Sequence, residues 1–167
     1  QVVKSDQASW QLNFTTFGAD ALSANRAWAD KMTALEQTLK AQGFKAENIR
    51  RLPLSLSDSF GNGGNLPPLN QRFRANGGVV VETTDVDLVD RASRTTETFV
   101  SAGVVLDNSY VRYFFTDLNR IKPGMLKAAT ANAREAAATF AKDSGVVVGN
   151  IKSANQGLFA ISSPVSD

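Results

Sequence analysis

With 167 residues, 43% apolar and 20% charged, the chain has ordinary globular usage and suits one domain with a core of normal size. The formal net charge is only +2 and the densest cations (Lys45, Arg50, Arg51, Arg72, Arg74) lack an aromatic stacking platform, so no nucleic-acid partner is expected. Cysteine and histidine are both absent, which excludes disulfides, thiolate nucleophiles, sulfur-ligated zinc and every His-based triad, and leaves carboxylate, Ser-Lys or Tyr chemistry.

Taken in order, "ASWQLNFTTF" alternates, with Trp10, Leu12 and Phe14 on one side and Ser9, Gln11 and Asn13 on the other. That predicts a half-buried strand. From Asp20 to Gln42 the period changes, and Leu22, Ala29, Met32, Leu35 and Leu39 mark a long amphipathic helix closed by Gly43. "IRRLPLSLS" predicts a strand with Leu52, Leu54 and Leu56 on one face and an interruption at Pro53. The glycine- and proline-rich "SDSFGNGGNLPPLN" reads as a loop, and "QRFRANGGVVVETT" as the strand that returns antiparallel to the previous one. Asp85 is placed as an N-cap with Asp87 in the first turn, ahead of a helix whose apolar face is Leu88, Val89, Ala92, Phe99 and Val100 and which Gly103 ends.

"VVLDNSYVRYFFT" follows as a strand. Pro123 then opens an alanine-rich helix, with eight alanines between Lys127 and Lys142, that Gly145 ends. "VVVGNIKSANQGLFAIS" is the last strand-like piece. Helices returning three times onto strands predict an α+β fold, with long amphipathic helices packed on a largely antiparallel sheet. Residues 1–167 are expected to form a single domain, lacking a natural N-terminal export segment and a final C-terminal strand. No run approaches the roughly 18 apolar residues of a bilayer span, so no membrane span is expected.

Five segments together resemble the SIMPL-domain proteins, especially their bacterial envelope members: "SDQASWQL", "AQGFKAENIRRLPLSL", "RFRA", "DLNRIKPGMLKAATANAREAAATFAKDSG" and "GNIKSANQGLFAIS". The similarity covers nearly the whole chain, and Asp117 to Ile161 is its most specific part. The resemblance implies an α+β fold, a periplasmic or envelope location, and large homo-oligomers. It also implies links to oxidative-stress defence and to surface antigenicity. No catalytic residue is established for the family, so none is carried over.

The candidate sites weigh mostly toward structure. On the alanine helix, Leu126, Ala129, Ala133, Ala136, Ala137 and Phe140 form the expected packing face, while Ala131 and Ala138 sit opposite, among Lys127, Arg134 and Lys142, as possible oligomer contacts. Phe60 and Leu66 in the Gly/Pro loop are possible partner contacts. Asn155, Gln156 and Gly157 suit either a polar ligand or a β-bulge. Asp85, Asp87 and Asp90 match helix capping better than a calcium loop, and "FGNGGN" lacks the helix that a phosphate cradle needs. Thr139 and Lys142 are the nearest thing to a Ser-Lys pair, and Glu82, Asp107 and Asp117 are strand-end carboxylates that could converge. Neither a metal nor a cofactor is expected.

Three readings follow. The first is a non-enzymatic envelope protein working as a homo-oligomeric scaffold or channel-like shell, with itself and an unidentified envelope protein as partners. The second is a periplasmic module binding a small ligand or peptide between the Gly/Pro loop and the amide-bearing last strand. The third is a carboxylate hydrolase. Met32 and Met125, the only oxidisable side chains of their kind, are both assigned to core faces, so any stress-related role is expected to be indirect.

Overall fold

Strand β1 (Gln7–Gly18) carries the predicted alternation over its full length, burying Ala8, Trp10, Leu12 and Phe14 on one face. It belongs to a computed structural model that describes residues 3–62 and 66–153 and divides into two units. One unit is Ser5–Phe114; the other holds the chain from Phe115 onward together with the N-terminal residues.

In the larger unit, helix α1 (Ala21–Ala41) starts at a capping box: the Ser23 amide donates to Asp20 Oδ1 at 2.7 Å, and the Asp20 amide donates to the Ser23 hydroxyl at 3.2 Å. Its buried stripe is Ala24, Trp28, Met32, Leu35 and Leu39. Leu22 and Ala29, expected in that stripe, are exposed. At about 100° per residue they fall well off the line set by the other five, and the Trp28 indole fills the position instead. Gly43 ends the helix at φ 107°, the left-handed conformation that favours glycine at C′.

The predicted leucine strand divides at Pro53 into β2 (Ile49–Arg51) and β3 (Ser55–Asp58), both antiparallel to β4 (Phe73–Thr83). Leu54 and Leu56 remain exposed rather than forming an apolar face. The next helix is also two pieces, α2 (Val86–Ser93) and α3 (Glu97–Ser101). Between them the Thr95 and Thr98 hydroxyls donate to the Ala92 and Thr95 carbonyls, the local side-chain bonding that competes with a continuous helix. Phe99 is buried but Val100 is 60% exposed. Strand β5 (Leu106–Phe114) completes an antiparallel sheet of order β2-β4-β1-β5, with β3 also on β4. Chain order and sheet order together give the split β-α-β arrangement.

All three helices cover one face. Trp10 meets Phe44 and Phe99 with ring centroids 5.9 Å apart, and Phe14 stacks on Trp28 at 6.1 Å. Gly77 leaves room for the Trp28 ring, since a Cβ there would lie 2.9 Å from the indole nitrogen. Gly78, the next residue, lets β4 approach β1: a Cβ would meet the Leu12 carbonyl oxygen at 1.9 Å and Asn13 Cα at 2.9 Å.

In the smaller unit, α4 (Leu118–Asp143) begins at Asp117, earlier than expected. Pro123 therefore lies inside the helix rather than in its first turn, where its missing N–H removes a backbone bond. The predicted packing face is exposed, Phe140 by 73%, and so are Ala131 and Ala138; only Ala141 is buried. Gly145 ends α4 at φ 68°. Residues 146–153 are not a strand, and the remainder of the predicted last strand lies outside the described residues.

Two glycines should respond in opposite directions. Gly78→Ala forces a Cβ into β1 backbone and should cost about 3 kcal/mol or prevent folding, the upper end for overpacking. Gly124→Ala sits in α4 with nothing within 4 Å and should strengthen that helix by about 1 kcal/mol. Urea titrations followed by circular dichroism check both, and equal effects from the two would contradict this placement.

Candidate functional site

Because the helices occupy the inner face of the sheet, solvent-facing chemistry in the larger unit collects on the outer one. Strand periodicity sends Gln11, Asn13 and Thr15 of β1 outward, beside Asn76 and Arg74 of β4. On β5 the register shifts at Asn13/Phe14, so that Leu106 opposes Phe14 while Asn108 opposes Asn13. Asp107 is the extra residue of this bulge, a device that re-aims a side chain. Its carboxylate reaches the outer face.

There the Thr15 hydroxyl donates to Asp107 Oδ2 at 2.5 Å. The Asn76 amide donates to Thr15 Oγ1 at 2.9 Å and to Asp107 Oδ2 at 3.3 Å, and Arg74 donates to Thr15 Oγ1 at 3.3 Å. Gln11 donates to Asn13 Oδ1 at 2.9 Å in the same patch. Gly78, opposite Asn13, gives the patch a floor without a side chain. Tyr110, 55% exposed and opposite Gln11, stands at its border with Arg112 over its ring at 5.8 Å. The arrangement offers many neutral donors and acceptors, with Arg74 and Asp107 as charged groups within it and Arg112 at its border.

Sequence reasoning singled out only Asp107 from this cluster, as a strand-end carboxylate. Of its two suggested companions, Glu82 does not join it. Glu82 opposes Ser9, four residues of β1 from Asn13 and so roughly 13 Å along the strand; it faces Arg50 at 3.8 Å. Asp117 belongs to the other unit, at the start of α4, paired with Arg120 at 3.1 Å. The overlooked signal was Asn13, Asn76 and Asn108 in three adjoining strands, since asparagine is depleted there.

Phe60, at the start of the Gly/Pro loop, is more tightly held than expected. Phe60 is half-buried, with the Arg72 guanidinium 5.1 Å from its ring centroid and also 5.1 Å from that of Phe73. Asp58 fixes this arginine at 2.8 Å and accepts the Phe60 amide at 3.0 Å. Leu66 remains exposed. On α4, the Thr139 hydroxyl donates to the Glu135 carbonyl at 3.0 Å, and it lines a shallow open hollow with Asn132, Glu135, Phe140 and Asp143. That geometry does not present Thr139 to Lys142. Asp85 caps α2 through the Leu88 amide at 2.9 Å, and Asp90 pairs with Arg94 at 3.0 Å. Among the described residues no three acidic side chains gather as metal ligands. Asn155, Gln156 and Gly157 lie outside the described residues.

The Arg72 hydrogen bonds, followed by the Phe60 amide, hold the Asp58 carboxyl below its usual range. A carboxylate lowered in the folded state contributes above its unfolded pKa, and the contribution disappears as pH falls through the folded value. Hydrogen exchange at the Phe60 amide should therefore accelerate in acid beyond its intrinsic pH trend, and Asp58→Ala should reproduce the acceleration at neutral pH. Unchanged protection in the variant would show that the clamp does not order the loop.

The SIMPL family, described as "Protein of unknown function (DUF541)", matches residues 1–166. No curated protein matches the chain. Among solved structures, "The crystal structure of AtUAH in complex with (S)-hydroxyglycine" is similar at 16% identity and a TM-score of 0.34, covering 75% of this chain and 32% of that one. This chain thus spans about a third of that protein's length, and so slight a likeness carries no argument. The family match runs unbroken through β1, the helices and the sheet they cover, and the chain belongs to the SIMPL family.

Proposed function

We propose that this SIMPL protein is a non-enzymatic envelope or periplasmic module that works by assembling with copies of itself. The observation that carries the reading is α4. Leu118, Met125, Ala129, Ala133, Ala136 and Phe140 lie along one side of a 26-residue helix, and Ala129, Ala133, Ala136 and Phe140 are all exposed. Helices in water draw most of their stability from packing such a face. Covering Phe140 alone is worth about 1.5–3 kcal/mol. The alanines allow a neighbouring helix to approach at the short end of the usual range, about 8 Å.

The side bearing Ala131 and Ala138 is the poorer self-contact, because Lys127, Arg134 and Lys142 beside it would repel their copies. Family membership supports the exported location. No described helix is long and apolar enough to cross a membrane. A stress-related role would be indirect: there is no thiol, and Met32 is sealed in the core. Met125, expected in a core as well, is only half-buried.

A second reading, a binding module for a polar ligand, is favoured by the hydrogen-bonded patch around Thr15 and Asp107. Its walls would be the central strands rather than the Gly/Pro loop and the last strand.

Light scattering across a concentration series decides the first reading. The chain should show a discrete multimer, Ala133→Glu with Ala136→Glu should reduce it to a monomer, and Ala131→Glu should leave it assembled. A monomer at every concentration would refute self-assembly. Dissociation by Ala131→Glu alone would move the contact to the basic side.

A further inference from the structure

The outer sheet patch is built at the expense of the strands that carry it. Asparagine and aspartate are poor strand formers, on a scale spanning about 1 kcal/mol between residue types. Yet Asn13, Asn76, Asp107 and Asn108 occupy adjoining positions of β1, β4 and β5, two of them at a bulge. A merely solvated face satisfies itself with Thr, Lys or Glu. Concentrated departures of this kind mark functional surfaces.

Three properties select the ligand. The patch stands on the face of three adjoining strands with Gly78 at its centre, so the ligand lies along a surface rather than filling a pocket. Arg74 and Asp107 offset one another in charge and Arg112 at the border leaves a single net cation, short of the run of positive charges a phosphate chain requires. The recognition groups are amides and a hydroxyl, each able to donate and to accept, and the internal bonds leave Asp107 Oδ1 and Asn76 Oδ1 as acceptors. Tyr110 adds a ring at the border that is 55% exposed even with Arg112 5.8 Å from its centroid, and that exposed part can carry the C–H face of a saturated ring.

An extended peptide fits less well. It would bond through its backbone to a strand edge, and gains nothing from side chains standing on the centre of a face. We infer that the outer face of the β4-β1-β5 strands binds a neutral, polyhydroxylated glycan chain, with Asn13, Asn76, Asp107 and Asn108 as the polar contacts and Tyr110 as the stacking platform. This inference names the ligand class for the second reading above and does not depend on self-assembly.

The test is a titration of the nitrogen-labelled full chain with a soluble β-linked N-acetylglucosamine oligomer, whose acetamide groups match the amides of the patch. A neutral glucan oligomer and an oligodeoxythymidine serve as parallel probes. Saturable shifts should map to the side-chain amides of Asn13, Asn76 and Asn108 and to Tyr110, with one or both sugars. Tyr110→Ala and Asn76→Ala should each weaken binding about tenfold, a loss of about 1.4 kcal/mol. Glu82→Gln, at the other end of the sheet, should not change it. Circular dichroism and the shifts of core residues identify any variant that has lost its fold, and Asn76→Asp then replaces Asn76→Ala. Absence of saturable shifts with either sugar overturns the inference. So does tighter binding of the oligodeoxythymidine to the same face, which would assign the patch to phosphate-bearing chains. Sugar-induced shifts confined to the Phe60 loop would also overturn it, while leaving a binding module in place.

Discussion

The larger unit depends on the pairing of β1 with two neighbours at once. β1 hydrogen-bonds to β4 on one side and to β5 on the other, and its even-numbered residues from Ala8 to Phe14 supply the floor on which all three covering helices rest. A slip of one residue in either ladder would turn Trp10, Leu12 and Phe14 to solvent and bring Gln11 and Asn13 into the core. Gly78 enforces the β4 side of this register sterically, because only a residue without a side chain tolerates the Leu12 carbonyl so near. On the β5 side the register is relaxed once, at the bulge, and that single irregularity delivers Asp107 to the outer face.

The two faces of the sheet therefore follow different rules. Inside, large rings meet edge-on or stacked and the polar content is nearly nil; Thr16 is buried with its hydroxyl bonded to the Ala24 carbonyl at 3.0 Å. Outside, the strands carry groups that suit hydrogen bonding better than strand formation. Helix α4 shows a third regime, with strong intrinsic propensity from its alanines but an apolar side left exposed over much of its length. The first regime accounts for folding. The other two surfaces have no such account within their own units.

Much of this was legible in the sequence where one interaction dominates a local pattern. The β1 alternation, the Asp85 cap and the glycines that end helices at positive φ each have a single physical cause, and Gly43, Gly103 and Gly145 all fulfil it. Phase was harder to read. Leu22 and Ala29 are apolar yet lie off the α1 stripe, which Trp28 sets by its size. Pro123 differs from expectation for a related reason: proline is most favourable in a first turn, but Asp117 and Leu118 start the helix sooner and the long alanine run absorbs the lost bond. The α4 packing face was inferred from periodicity, which shows that a face is apolar and not what covers it.

The candidate site was the least legible element, for a definable reason. Its members come from three strands far apart in the chain, 92 positions in the case of the Thr15–Asp107 bond, so no local spacing could announce it. What the sequence did contain was a set of individually weak anomalies: an aspartate and an asparagine at the start of a strand otherwise rich in Tyr and Phe, an Asn-Gly-Gly run in another, and an asparagine between Leu12 and Phe14 of the first. Each is unremarkable as a turn or an edge. Their meaning depends on register, because only the pairing of Asn13 with Gly78 and of Thr15 with Asn76 makes them neighbours. The same backbone constraint that locks the core thus also assembles the polar patch. A change that shifted the β1 ladder would dismantle both together, whereas substitutions confined to the outer side chains can remove the patch and leave the core intact. That separability makes the outer face open to functional variation while the inner face holds the fold.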